Sequence, residues 1–131
     1  MSVRVFESMI GKIIHKIENK QNEQLIFYSD DRSFVFKHRQ DCCEVVEIED
    51  IVGDLDDLLN SPIIEAEESS SKESDPKEAY KLWTFYRYAT AKSCVTVRWI
   101  GSTDSCYSLV VSFEEVLYTD DILQRVQFKA I

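Results

Sequence analysis

Glycine is nearly missing from this chain. Only Gly11, Gly53 and Gly101 occur in 131 residues. They are too few and too far apart for a loop whose backbone N–H groups cradle a phosphate, and no P-loop, GxGxxG, HExxH, GxSxG or kinase signature is present. An enzyme is therefore the minority reading, and no cofactor is implied. Long apolar runs are missing as well. No window approaches a membrane span, and the start from Met1 to Phe6 lacks the apolar stretch and cleavage site of a secretory signal. The expectation is a cytoplasmic protein away from membranes. The four cysteines, Cys42, Cys43, Cys94 and Cys106, contain no CxxC pair. A bridge between the chain neighbours Cys42 and Cys43 would be strained, so free thiols in a reducing compartment are expected.

Positive charge is almost missing from one stretch. Between Asp41 and Asp75 there are 13 carboxylates against Lys72 alone, a net of −12, so the other 96 residues carry +3 and the total is −9. The acidity is a local feature. It disfavours direct binding to nucleic acid or anionic membranes, which reward Lys and Arg, and it favours a partner with a basic surface. What the chain does have is apolar content of 44 %, with 7 Phe, 6 Tyr and 2 Trp, enough to offset chain entropy in one folded domain of 131 residues.

The periodicities point to an α+β fold that is predominantly antiparallel sheet, arranged as hairpins and a meander. Met9 to Ile17 reads as a strand, and Asn19 to Glu23 as a polar turn. Leu25 to Tyr28 and Ser33 to His38 form a hairpin around Ser29 to Arg32, with Phe34, Phe36 and His38 on one face. Glu44 to Glu49 is a further strand. Ile48, Ile51, Val52, Leu55, Leu58 and Leu59 then follow helical spacing, with Glu49, Asp50, Asp54, Asp56 and Asp57 opposite. A short acidic amphipathic helix is expected there, capped by Asp50 and stopped by Pro62.

Pro62 to Glu68 is a candidate strand, and the Ser-rich, charged segment at about 69–77 is expected to be a loop. Tyr80 to Thr90, Ser93 to Ile100 and Cys106 to Phe113 should make a three-stranded meander. A hairpin turning near Ser102 and Thr103 would set Cys106 against Trp99 and Cys94 against Val111. Tyr118 to Ile131 is a C-terminal helix, or a strand that docks on the sheet or on a second copy.

Three groups of residues invite functional readings. His38, Asp41, Cys42, Cys43 and Glu44 gather a base, two thiols and two carboxylates, which suggests a metal- or thiol-dependent site with His38, Asp41, Cys42 and Cys43 as candidate ligands. A zinc site needs about four ligands, and a second pair is missing unless His15, Cys94 or Cys106 folds close by. The plainer reading places the two cysteines at a strand entrance with one buried as a small hydrophobe. Asp54, Asp56 and Asp57 with Glu65 resemble a calcium loop but put Leu58 and Leu59 where a polar ligand and a glycine belong. The third group is the acidic face, with Glu49, Asp50, Asp54, Asp56, Asp57, Glu65, Glu67 and Glu68 as contacts for a basic partner. The plainer alternative there is a solvated charged surface.

Gly11-Lys12, Gln40 to Glu44, Ile48 to Ile51 with Gly53 to Leu55, Pro62-Ile63 with Glu65 to Glu68, Trp83 to Tyr86 and Val95 to Trp99 together resemble a family of small uncharacterised phage and bacterial proteins. The resemblance runs from about Gly11 to Glu115, and the double cysteine followed by the acidic stretch is its most specific part. It implies a phage or prophage context, where small acidic proteins often occupy a host protein. The resulting expectation is an acidic interaction module, in its sharpest form a phage-encoded inhibitor whose carboxylates imitate nucleic-acid phosphates in a basic groove of a host defence or nucleic-acid enzyme in the host cytoplasm. The alternatives are the metal- or thiol-dependent site and a self-associating structural component, such as a homodimer.

Overall fold

Successive side chains of a strand point to opposite faces, so runs such as Arg32 to Lys37, in which Phe34 and Phe36 alternate with Val35 and Lys37, bury one face of a sheet. The computed structural model describes residues 4–74, 80–103 and 108–118. Among them nine strands are formed: β1 (Arg4–Val5), β2 (Lys16–Lys20), β3 (Gln24–Tyr28), β4 (Arg32–Lys37), β5 (Val45–Val52), β6 (Glu65–Ser74), β7 (Tyr80–Ala89), β8 (Cys94–Thr103) and β9 (Ser112–Leu117). They pair antiparallel in two sheets, of order β1-β6-β7-β8-β5 and β2-β3-β4-β9.

The sheets face each other across an aromatic core. From the four-stranded sheet, Phe27 lies 4.7 Å from Tyr88 and Phe36 lies 4.8 Å from Tyr86, measured between ring centroids. Phe6, just after β1, touches Phe36, Tyr86 and Phe113. These separations fall in the favourable range for edge-to-face and tilted rings. Val95, Val97 and Trp99 of β8 and Val46 and Ile48 of β5 extend the core.

The expected acidic helix does not form. β5 runs straight through Ile48 and Val52, and a short 3₁₀ turn, Leu55–Leu58, follows. The register against β8 slips between Ile48 and Asp50, so Glu49 is the extra residue of a bulge. That insertion makes the inward positions Val46, Ile48 and Ile51 fall at spacings of two and three, which imitates a helix. The β-branched side chains of Val45, Val46, Ile48, Ile51 and Val52 favour the strand. Leu58 is buried, and Leu55 and Leu59 pack on the core, so the leucines that suggested a helical stripe fold under one side of the sandwich. The N-cap is Asp54, whose carboxylate accepts the Asp56 N–H at 3.0 Å, rather than Asp50.

Gly53 makes this geometry possible. Its φ is +104°, and a Cβ there would stand 3.1 Å from the Cys94 carbonyl oxygen and 3.2 Å from a methyl of Val95. Gly53→Ala is expected to destabilise the protein by about 1–3 kcal/mol through backbone strain, measurable as an earlier midpoint in urea unfolding.

Three further expectations are revised. Met9 to Ile17 is not one strand: Glu7–Met9 is a 3₁₀ turn, Gly11 adopts φ +85°, Ile13 makes an isolated bridge to Pro62, and β2 begins at Lys16. The serine-rich segment is a strand as far as Ser74, because Ser69 to Ser74 pair with Phe85 to Tyr80 in the long β6–β7 hairpin; residues 75–79 lie outside the described residues.

The third strand of the meander leaves its sheet. β8 continues to Thr103, whereas β9 starts at Ser112 and pairs with β4 in the other sheet. The crossing is accommodated at Gly101, where a Cβ would come 2.9 Å from Leu109 Cβ and 3.2 Å from Val46 Cγ2. Leu109 thus packs where a side chain would have stood, and the expected pairing of Cys94 with Val111 does not occur. Cys106 and the C-terminal segment 119–131 lie outside the described residues.

Candidate functional site

The connection from β4 to β5 carries the double cysteine and passes from one sheet to the other. His38 continues the face of Phe34 and Phe36, as alternation predicts, and reaches inward. Its Nδ1–H donates to the Val110 carbonyl at 2.7 Å, and its Nε2 lies 2.8 Å from Glu44 Oε2. The side chains are 5 % and 0 % exposed. The Val110 carbonyl can only accept, so Nδ1 carries the proton it donates, and Nε2 faces the Glu44 carboxylate.

Glu44 also accepts the backbone N–H groups of Asp41 and Cys42, each at 2.8 Å. The Gln40 amide donates to the Glu44 and Cys42 carbonyls. Burial pushes the Glu44 carboxyl up, but the hydrogen bond from His38 and those from the N–H groups of Cys42, Glu44 and Asp41 outweigh it and hold the group down to about 2. Four elements meet here: the end of β4, the loop, the start of β5 and the segment leading to β9. A signal for the role of Glu44 was present in the sequence, since Glu44 is in phase with the buried Val46 and Ile48 while Val45 and Glu47 point outward.

Cys42 and Cys43 are both exposed, against the reading of one as a buried hydrophobe. Their sulfurs lie side by side, because the bend in the loop turns both side chains to one side. Cys94 is free and exposed. Among the described residues no group of three or more His, Cys, Asp or Glu side chains is arranged to hold a metal ion. Both nitrogens of His38 are engaged elsewhere, so His38, Asp41, Cys42 and Cys43 do not converge as a ligand set.

The eight carboxylates expected to meet a partner are divided by the fold. Glu49 and Asp50, at the bulge, face Arg98 at 2.9 and 3.6 Å, and Glu65 faces Arg87 at 3.0 Å. Glu68 points inward and accepts the Tyr86 hydroxyl at 2.5 Å; burial, and then this hydrogen bond, drive the Tyr86 phenol well above its ordinary range. Asp54 caps the 3₁₀ turn, and Asp56 and Asp57 in that turn are exposed. Glu67 stands opposite Arg87 in the ladder without an ion pair among the described residues. A single outward patch of all eight is therefore not formed. Among the described residues of the acidic stretch, the carboxylates without a basic partner include Asp54, Asp56 and Asp57 at the 3₁₀ turn, Asp41, Glu47 and Glu67.

The outer face of the five-stranded sheet has a feature that charge counting misses. Thr84, Tyr86 and Tyr88 take the inner positions of β7, leaving Trp83 and Phe85 on the outer face, both half-buried. Trp83 pairs with Ile100, which pairs in turn with Glu47; Phe85 pairs with Arg98, which pairs with Asp50. An apolar centre of Trp83, Phe85 and Ile100 is thus framed by Arg98 and Arg87 and, further out, by Glu47 and Glu67. Aromatic residues in both phases of one strand, Trp83 and Phe85 against Tyr86 and Tyr88, were the sequence signal for a sheet face with a second use.

Among the described residues no helix is long and apolar enough to cross a membrane. Residues 7–113 match the model of a family described as a domain of unknown function, DUF7448, and the chain belongs to that family. Neither a curated protein nor a solved structure matches the chain.

Proposed function

We propose that this member of the DUF7448 family is a non-catalytic interaction module. Its outer five-stranded face, centred on Trp83, Phe85 and Ile100, docks a partner whose basic side chains are drawn in by the free carboxylates Asp54, Asp56, Asp57, Glu47 and Glu67. The observation that carries this reading is the placement of two large aromatic side chains, only partly buried, on the outer side of a strand whose inner side already supplies the core. Aromatic anchors with a charged surround are the composition of protein-binding surfaces. Rim carboxylates contribute steering and salt sensitivity more than affinity.

In the phage or prophage setting implied by the sequence resemblance, the partner is a host protein with a groove that ordinarily takes nucleic acid. Asp54, Asp56, Asp57 and Glu67 then stand in for phosphates. Glu49, Asp50, Glu65 and Glu68 are held by Arg98, Arg87 and Tyr86, so they shape the face and contribute less free charge.

The test is to capture a partner from host lysate at low salt, purify it, and measure binding of variants across salt concentrations. Trp83→Ala is expected to weaken binding about 30-fold at every salt concentration, as loss of an anchor worth about 2 kcal/mol implies. Replacing Asp54, Asp56 and Asp57 together by Asn should weaken it about tenfold at low salt, from a few tenths to 1 kcal/mol per exposed charge, and by little at high salt. Binding unchanged by both variants removes the proposal.

A further inference from the structure

The geometry points to Cys42 and Cys43 as a two-sulfur chelating site, open to solvent, for a single soft metal or metalloid centre. In extended backbone, neighbouring side chains diverge to opposite faces. Here the bend at Cys42 and Cys43 brings both sulfurs together on the exposed side of the loop. The backbone of that bend is held from beneath: the buried Glu44 carboxylate accepts the N–H groups of Asp41 and Cys42, and Gln40 holds the Cys42 carbonyl. His38 fixes Glu44 in turn. Once reduced, the two thiols are therefore presented as a pair rather than as two independent groups.

Sulfur ligands select soft centres over hard cations such as calcium or magnesium. Two donors on one rigid loop gain the advantage of high effective concentration over two separate thiols. The neighbouring exposed carboxylate of Asp41 also favours a cationic or electrophilic centre over an anionic one. Glu44 acts as a positioning residue, since it holds the loop backbone and does not itself reach the bound centre.

A trivalent aryl arsenic oxide is a suitable probe because its chemistry closes without an oxidant. The protein is first treated with excess dithiol reagent, which opens any bridge between the two sulfurs and leaves as its own cyclic disulfide carrying off the two electrons, and the reagent is then removed. The arsenic oxide then forms two As–S bonds and loses its oxygen, with the two thiol protons, as one water. Arsenic stays trivalent throughout.

The experiment is intact-mass measurement of reduced, reductant-free protein with phenylarsine oxide, alongside thiol alkylation rates. The expected result is one adduct per chain, stable to a monothiol and removed by a dithiol, abolished in Cys42→Ser and in Cys43→Ser, and retained when Cys94 and Cys106 are both serine. Glu44→Gln, checked for folding by circular dichroism, should bind the arsenical several-fold more weakly while its cysteines react with iodoacetamide at unchanged rates. An adduct that survives either single serine substitution, or that a monothiol removes from the wild-type protein, would overturn the site. Arsenical affinity of Glu44→Gln equal to that of the wild type would overturn the positioning role of Glu44.

Discussion

Phe36→Ala is expected to lower stability by about 3–5 kcal/mol, the usual loss for truncating a fully buried aromatic side chain. The position is chosen for its contacts. Phe36 lies within 5.7 Å, centroid to centroid, of Phe6, Phe27, Tyr86, Tyr88 and Phe113, and so joins the two sheets and the segment after β1. The surrounding rings belong to three strands and the segment after β1 and cannot all collapse inward, so a cavity remains and adds to the lost transfer free energy. A domain of this size has only about 5–15 kcal/mol in total, so the variant should lose much of its margin. Urea unfolding followed by circular dichroism checks it. Phe85→Ala, on the outer face, should cost far less, and equal losses at the two positions would contradict the assignment of inner and outer faces.

The second large effect is at Glu44. Removing its charge leaves the buried Nε2 of His38 facing no carboxylate, and it leaves the Asp41 and Cys42 N–H groups with a weaker acceptor. Glu44→Gln is expected to lower the melting temperature at neutral pH more than any substitution among Asp54, Asp56 and Asp57. Its pH dependence is also specified. In the folded protein the Glu44 carboxyl is held to about 2, below its ordinary value of 4.5. The unfolded chain therefore binds the proton first, and the stabilisation from ionised Glu44 is complete above about 4.5 and lost as the pH falls toward 2. Wild-type melting temperature should drop through that window, and the Glu44→Gln curve should be flatter there. Parallel curves for the two proteins between pH 4.5 and 2 would contradict a buried, hydrogen-bonded Glu44 carboxylate.

Much of the fold was legible because alternation over five or six residues leaves little ambiguity. The β3–β4 hairpin, the core face of Phe34, Phe36 and His38, and the β7–β8 pairing follow directly from side-chain period. Two kinds of information were not local. A bulge is invisible until the partner strand is known, and the extra residue at Glu49 converted a strand into an apparent helix. The sheet to which a strand belongs is equally hidden: β9 has the apolar content of a meander strand, but it pairs with β4 because Leu109 crosses over Gly101.

The site was legible in part. The His38 to Glu44 cluster stood out by composition, yet its two ends meet each other rather than a metal, and the phase of Glu44 with Val46 and Ile48 identifies it as the buried member. The acidic run was visible as a sum of charges. Its division among Arg98, Arg87, Tyr86 and solvent depends on which strands lie side by side, which no spacing reveals. Trp83 and Phe85 were absorbed into a general β signal because a strand with aromatics on both faces looks simply hydrophobic.

The two tryptophans stand on opposite sides of the same sheet, Trp83 outward and Trp99 fully buried against Ile48 and Thr84 in the ladder. Their indole N–H resonances therefore report separately on the outer face and on the core. Titrating isotopically labelled protein with the captured partner should shift or broaden the Trp83 indole signal, in step with binding, while the Trp99 signal stays in place. A Trp83 signal that does not move at saturation would contradict the assignment of partner recognition to this face.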